Sequence, residues 1–136
     1  MKERDSLENV MHHLAVVTNK SRAEVIQFYN EVMGLPMVDE KMNRSDDLLY
    51  FELAINLQLE VLLTRDELND CKAPANRNAG FAHFSFTVAD VYKWYDMVKD
   101  AGLEVIYELQ EIPELKIVTF LFRDPFDAVW EVMQDM

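Results

Sequence analysis

Two histidines and two glutamates stand at matching places in the two halves of this chain. His13 opens the run His13-Leu-Ala-Val-Val-Thr18, and Glu60 lies within Leu57-Gln-Leu-Glu60-Val-Leu62. In the second half His83 opens His83-Phe-Ser-Phe-Thr-Val88, and Glu131 lies within Ala128-Val-Trp-Glu131-Val-Met133. His83 follows His13 by 70 residues, and Glu131 follows Glu60 by 71. Neutral imidazole and carboxylate are ligands that borderline divalent metals accept, and two of each leave open positions on an octahedral ion. Taken singly, a Glu on a strand belongs to a solvated face, and a His beside another His is an ordinary surface residue. Repetition of the whole set makes a pseudo-symmetric metal site the better reading.

The elements that would carry these residues also repeat. Val10 to Thr18 is a short apolar run closed by Asn19-Lys20-Ser21, as expected of a strand. From Arg22 the period becomes helical, with Val25, Phe28, Tyr29, Val32 and Met33 on one face. Ser21 with Glu24 makes a capping box at its start, and Gly34 followed by Pro36 ends it. Three strands are then predicted: Met37 to Lys41, Leu48 to Ala54, and Leu57 to Leu63, with a tight turn at Ile55-Asn56. The second half gives a strand over Phe81 to Val88 and a helix from Asp90 to Ala101 ended by Gly102. Strands follow over Glu104 to Glu108, Leu115 to Phe122 and Ala128 to Gln134. Each half reads β-α-β-β-β, so residues 1–136 are expected to form one domain of two modules, 10–64 and 81–134. The irregular stretch 65–80 is the expected linker.

Alternation along strands sorts the side chains by face. His13, Ala15 and Val17 share one side; Gln58, Glu60 and Leu62 share one; so do His83, Ser85 and Thr87, and Val129, Glu131 and Met133. The opposite sides carry Leu14 and Val16, Leu59 and Val61, Phe84 and Phe86, and Trp130 and Val132, which suits packing under a helix. His12 is expected to point away from His13.

Composition sets bounds. The chain has 136 residues, half of them hydrophobic, enough for one real core. Its net charge of −12 argues against nucleic acid, which requires clustered Lys and Arg. No apolar run approaches the roughly 20 residues of a membrane span. The charged start Met1 to Glu8 lacks the apolar region of a signal peptide. Cys71 is the only cysteine, so no internal disulfide forms, and a cytoplasmic protein is expected.

The motifs His13-Leu, Phe28-Tyr29, Gly34-Leu35, Leu59-Glu60, Ala82-His83-Phe84 and Arg123-Asp-Pro125 leading into Trp130-Glu131 resemble those of the vicinal oxygen chelate superfamily. This is the glyoxalase/bleomycin-resistance fold, and the resemblance spans Val10 to Gln134. It implies an α+β fold in which two βαβββ modules form a cupped mixed sheet with helices on the outer face. It also implies a metal held by His13, Glu60, His83 and Glu131, a set similar to that of bacterial glyoxalase I. There are departures. Asp124-Pro-Phe-Asp-Ala128 lacks the glycine usual in the family's turn. Glutathione-using glyoxalase I carries an Arg four residues after its first ligand and an Asn four after its second, where this chain has Val17 and Thr64.

The resemblance therefore implies a metal-dependent lyase or isomerase that does not use glutathione. One divalent ion (Ni, Co, Zn, Mn or Fe) would bind two adjacent oxygens of a small substrate and stabilise an enediolate-like anion. Glu131 or Glu60 would move the proton. Ala15, Val17, Leu62, Ser85, Thr87 and Met133 would line the pocket, and a homodimer is expected. The alternative is a drug-binding protein like those that sequester bleomycin, without chemistry.

Overall fold

In the computed structural model, residues 10–43, 46–68 and 81–136 are described. The chain divides into two compact units, Met1–Leu68 and Asn69–Met136. Most of the expected linker, including Cys71, lies outside the described residues.

The first unit contains β1 (His13–Thr18), α1 (Arg22–Ile26) continuing as a π-helical turn (Gln27–Val32), β2 (Met37–Asn43), β3 (Asp46–Ala54) and β4 (Leu57–Leu63). Its sheet has the order β1-β4-β3-β2, with β1 parallel to β4 and the other pairs antiparallel. The expected capping box starts the helix: Glu24 N–H donates to Ser21 Oγ (3.2 Å), and Ser21 N–H donates to Glu24 Oε2 (2.9 Å). The regular helix predicted to run on to Gly34 instead widens, Met33 N–H donating to the Phe28 carbonyl five residues back. The wider turn buries Phe28 and Tyr29 together, and Tyr29 packs on Phe51 of β3 with ring centroids 5.6 Å apart. Gly34 then takes φ 74°, a conformation glycine adopts without cost.

The second unit repeats the plan with β5 (Phe84–Thr87), α2 (Val91–Asp100), β6 (Glu104–Ile112), β7 (Ile117–Arg123) and β8 (Val129–Asp135). Its order is β5-β8-β7-β6, again with the first pair parallel. β5 is shorter than the pattern predicts, so His83 immediately precedes it rather than lying within it. Asp90 caps α2 by accepting from Tyr92 N–H and Lys93 N–H, both at 3.1 Å. Trp94 packs on Phe86, and Tyr95 packs on Phe120, so α2 covers the aromatic face of its sheet. Trp130 is fully buried beneath it, against Phe84 at 4.7 Å. The architecture is α+β, and each βαβββ unit sets its helix on the apolar face of its own sheet. No helix among the described residues is long and apolar enough to cross a membrane.

Two irregularities decide where the functional side chains point. A bulge between Glu52 and Ala54 shifts the β3–β4 register, so that Tyr50, not Phe51, lies opposite Glu60. The turn before β8 is organised by one buried carboxylate. Asp124 Oδ1 accepts from Phe126 N–H (2.8 Å) and Ala128 N–H (3.0 Å), while Oδ2 accepts from the Trp130 indole (2.9 Å). Asp127 in this turn sits at φ 67°, so aspartate, one of the few non-glycine residues that tolerate the left-handed region, occupies a place suited to glycine.

Asp124 therefore holds both the turn and the tryptophan at the base of β8. Asp124→Ala removes three bonds to a charged acceptor and leaves a buried indole N–H unsatisfied, which should cost about 3 kcal/mol. Denaturant titration checks this, and a loss below about 1 kcal/mol would contradict it.

Candidate metal centre

The same register places a His diagonally across from a Glu in each unit. In the β1–β4 pair Ala15 lies opposite Glu60, and His13 is two residues earlier on the same face. In the β5–β8 pair Ser85 lies opposite Glu131, and His83 is two residues earlier. The side chains meet accordingly. His13 Nε2 lies 3.7 Å from Glu60 Oε2, and His83 Nε2 lies 3.2 Å from Glu131 Oε1. Atoms on adjacent corners of an ion with bonds of about 2.1 Å are themselves about 3 Å apart, a spacing that the His83–Glu131 pair approaches and the His13–Glu60 pair exceeds. Both carboxylates are largely enclosed, with 13% and 17% of their side-chain surface exposed for Glu60 and Glu131. Two neutral imidazoles and two carboxylates suit Zn, Ni, Co, Mn or Fe.

The carboxylates are held differently. Tyr50 donates its phenol proton to Glu60 Oε2 at 2.6 Å. This bond, with burial and the negative charges of Glu60 and Asp39, pushes the Tyr50 pKa up to about 12. Glu131 receives Ser85 Oγ at Oε1 (2.6 Å) and Thr119 Oγ1 at Oε2 (2.8 Å). Burial raises the Glu131 pKa, but the Ser85 and Thr119 hydrogen bonds and the nearby His83 outweigh it, and the net shift is downward. Glu131 is thus an ionised, pre-oriented group.

His12 does not point away as alternation predicts. It precedes β1 and escapes the pleat, and its Nδ1 lies 2.8 Å from Nδ1 of His13. Because Nδ1 of His13 is engaged by His12, it is Nε2 that faces Glu60, and Nε2 is the candidate ligating atom.

The expected lining residues lie on these same faces, as cross-strand neighbours: Ala15 with Glu60, Val17 with Leu62, Ser85 with Glu131 and Thr87 with Met133. Among the described residues no three His, Cys, Asp or Glu side chains cluster, so the structure assembles the expected set as two pairs, one in each unit. Tyr50 and Thr119 were not foreseen. Tyr50 was hidden by the bulge, and Thr119 lies diagonal to Glu131, opposite Met133. A cleft of about 430 Å³, lined by Asn19, Lys20, Arg22, Asp47, Thr64 and Arg65 among others, lies at the ends of β1 and β4. Its Arg22 is already committed to Glu40 through bonds of 2.8 and 2.7 Å.

The fold defines a class of two βαβββ modules, and known proteins of similar sequence and structure agree with it. The Glyoxalase/Bleomycin resistance protein/Dioxygenase superfamily profile matches residues 10–132, so the chain belongs to that superfamily. A glyoxalase family protein from Enterococcus faecalis is similar at 21% identity and TM-score 0.72, over 90% of this chain and 95% of that one. A glyoxylase/bleomycin resistance protein/dioxygenase domain from Frankia sp. EAN1pec matches at 18% identity and TM-score 0.74, over 96% and 94%. Glyoxalase I from Zea mays matches at 19% identity and TM-score 0.71, over 92% of this chain and 44% of that one. No curated protein sequence is a match.

The depressed Glu131 pKa has a consequence for chelator-treated protein. Stability contributed by the ionised carboxylate is complete above the unfolded pKa of about 4.3 and disappears as pH falls through the lower folded value. The stability gap between wild type and Glu131→Gln should therefore narrow between neutral pH and about pH 3. Denaturation curves at both pH values measure it; a gap that stays constant or widens on acidification would count against the assignment.

Proposed function

We propose that this chain is a metal-dependent enzyme of the glyoxalase superfamily, of lyase or isomerase type, acting on a small substrate with two adjacent oxygens. The observation that carries this reading is the diagonal His–Glu pair, repeated at one register position in both units. His13, Glu60, His83 and Glu131 would hold one divalent ion (Ni, Co, Zn, Mn or Fe). A bound ion would supply Lewis-acid polarisation of two vicinal oxygens. Glu60 or Glu131 would carry the proton between adjacent carbons, a task that needs an ionised carboxylate close to the substrate. Ala15, Val17, Leu62, Ser85, Thr87 and Met133 would form a lining with few charges, suited to a small and partly apolar substrate. Elemental analysis and metal titration of wild type beside His83→Ala test the assignment. The expected loss in the variant is at least about 100-fold in affinity, and equal affinity would sink it.

Glutathione is not the expected cosubstrate. Carboxylate recognition favours a bidentate Arg fork, and Val17 and Thr64 offer neither that fork nor an amide. Assay of the methylglyoxal–glutathione hemithioacetal with each metal restored should give kcat/KM well below about 10⁴ M⁻¹s⁻¹, and turnover above that value would reverse the conclusion.

A second reading, sequestration of a cationic drug without chemistry, draws support from the net charge of −12 and the 11% aromatic content. Protein that holds no metal under any condition would favour it. We also propose a homodimer, as expected of a short two-module chain in this family. Light scattering at micromolar concentration should give twice the chain mass of 15.9 kDa, and a monomeric mass argues against it.

A further inference from the structure

The two carboxylates occupy equivalent places but have non-equivalent partners. Opposite Glu131 on β7 stands Leu121, which is buried and apolar, so the donors to Glu131 come from Ser85 on β5 and Thr119 on β7. The matching residues of the first unit are Ala15 on β1 and Leu48 on β3, and neither can donate a side-chain hydrogen bond. Glu60 is served instead by the residue directly opposite, Tyr50, which only the β3 bulge turns toward it. Without that extra residue the strand would present Phe51 there and send Tyr50 to the helix side, because a one-residue slip exchanges the faces. Tyr50 is 6% exposed and fixed by its neighbours, so its hydroxyl is a preset donor. Among the described residues it is the only hydroxyl that reaches Glu60.

We propose that Tyr50 is the positioning residue of Glu60: its phenol engages Oε2, the oxygen that faces His13, and so sets the orientation of the carboxylate toward a bound ion or substrate. This rests on the metal reading above, but the positioning itself is a property of the chain. Glu131, gripped at both oxygens, is locked, whereas Glu60 is tethered at one. The equivalent carboxylates of the two units are thus given different freedom.

A double-mutant cycle tests this with wild type, Tyr50→Phe, Glu60→Ala and the double variant, all as full chains. Co²⁺ affinity and the visible Co²⁺ absorption spectrum are the first readout. Tyr50→Phe should weaken Co²⁺ about tenfold and change the band shape, the scale of effect that outer-shell partners of metal ligands show. In the Glu60→Ala background the same change should have no further effect, since the phenol would have lost its acceptor. Additive losses, or wild-type affinity and spectrum in Tyr50→Phe, would overturn the proposal. The second readout is the thermal midpoint of the four chelator-treated proteins, where the pair should again be non-additive. If wild type binds no Co²⁺, the metal reading fails by itself. The positioning role then stands on non-additive midpoints and falls on additive ones.

Discussion

Everything functional in this chain depends on one constraint: the pairing register of the parallel strands β1–β4 and β5–β8. Side chains on a strand alternate with a period of two, so a shift of one residue would send His13 or Glu60 to the helix side. The register that puts Ala15 opposite Glu60 and Ser85 opposite Glu131 brings each His to its Glu. The apolar partners of these strands enforce it. Leu59, Val61, Trp130 and Val132 are fully buried, and a slip would carry them into water. Burial of each such side chain stabilises by roughly 1.5–3 kcal/mol, far more than the polar pairs on the other face could offset. The core thus holds the site in place without contributing an atom to it.

Much of this was legible in the sequence because it is periodic. The helix starts at Ser21 and Asp90, the stops at Gly34 and Gly102, the tight turn at Ile55-Asn56 and the faces of β1, β4, β5 and β8 follow from local rules, and the structure has them. Illegible features were those that interrupt a period. A π-helical turn replaces the end of the first helix, His12 leaves the pleat to meet His13, and the bulge near Leu53 reverses the roles of Tyr50 and Phe51. Each adds or removes one residue's worth of phase, and a period carries no record of where its phase slips. The paired His and Glu residues fell on the regular side of that divide; the groups that hydrogen-bond to them did not.

The asymmetry in orientation bears on chemistry. Repetition supplies two equivalent His–Glu pairs, whereas the proposed proton movement would need one group that stays and one that acts. Here the second unit adds Ser85 and Thr119 around Glu131, while the first adds a phenol beside Glu60 and an imidazole beside His13. Different outer partners on equivalent ligands are a direct way to give them different tasks. Membership in the superfamily accounts for the frame; these partners belong to this chain, and fold alone does not specify what they do.

X-ray absorption at the metal edge of the Co²⁺- or Ni²⁺-loaded protein tests the central claim most directly, because it counts ligands without needing a substrate. Imidazole rings give a distinctive multiple-scattering pattern, and carboxylate oxygens add short single-shell distances of about 2.0–2.2 Å. The account predicts two imidazoles per metal, with oxygen in the remaining positions, and the loss of one imidazole in His83→Ala. A spectrum with no imidazole, or with the same two in His83→Ala, would contradict it.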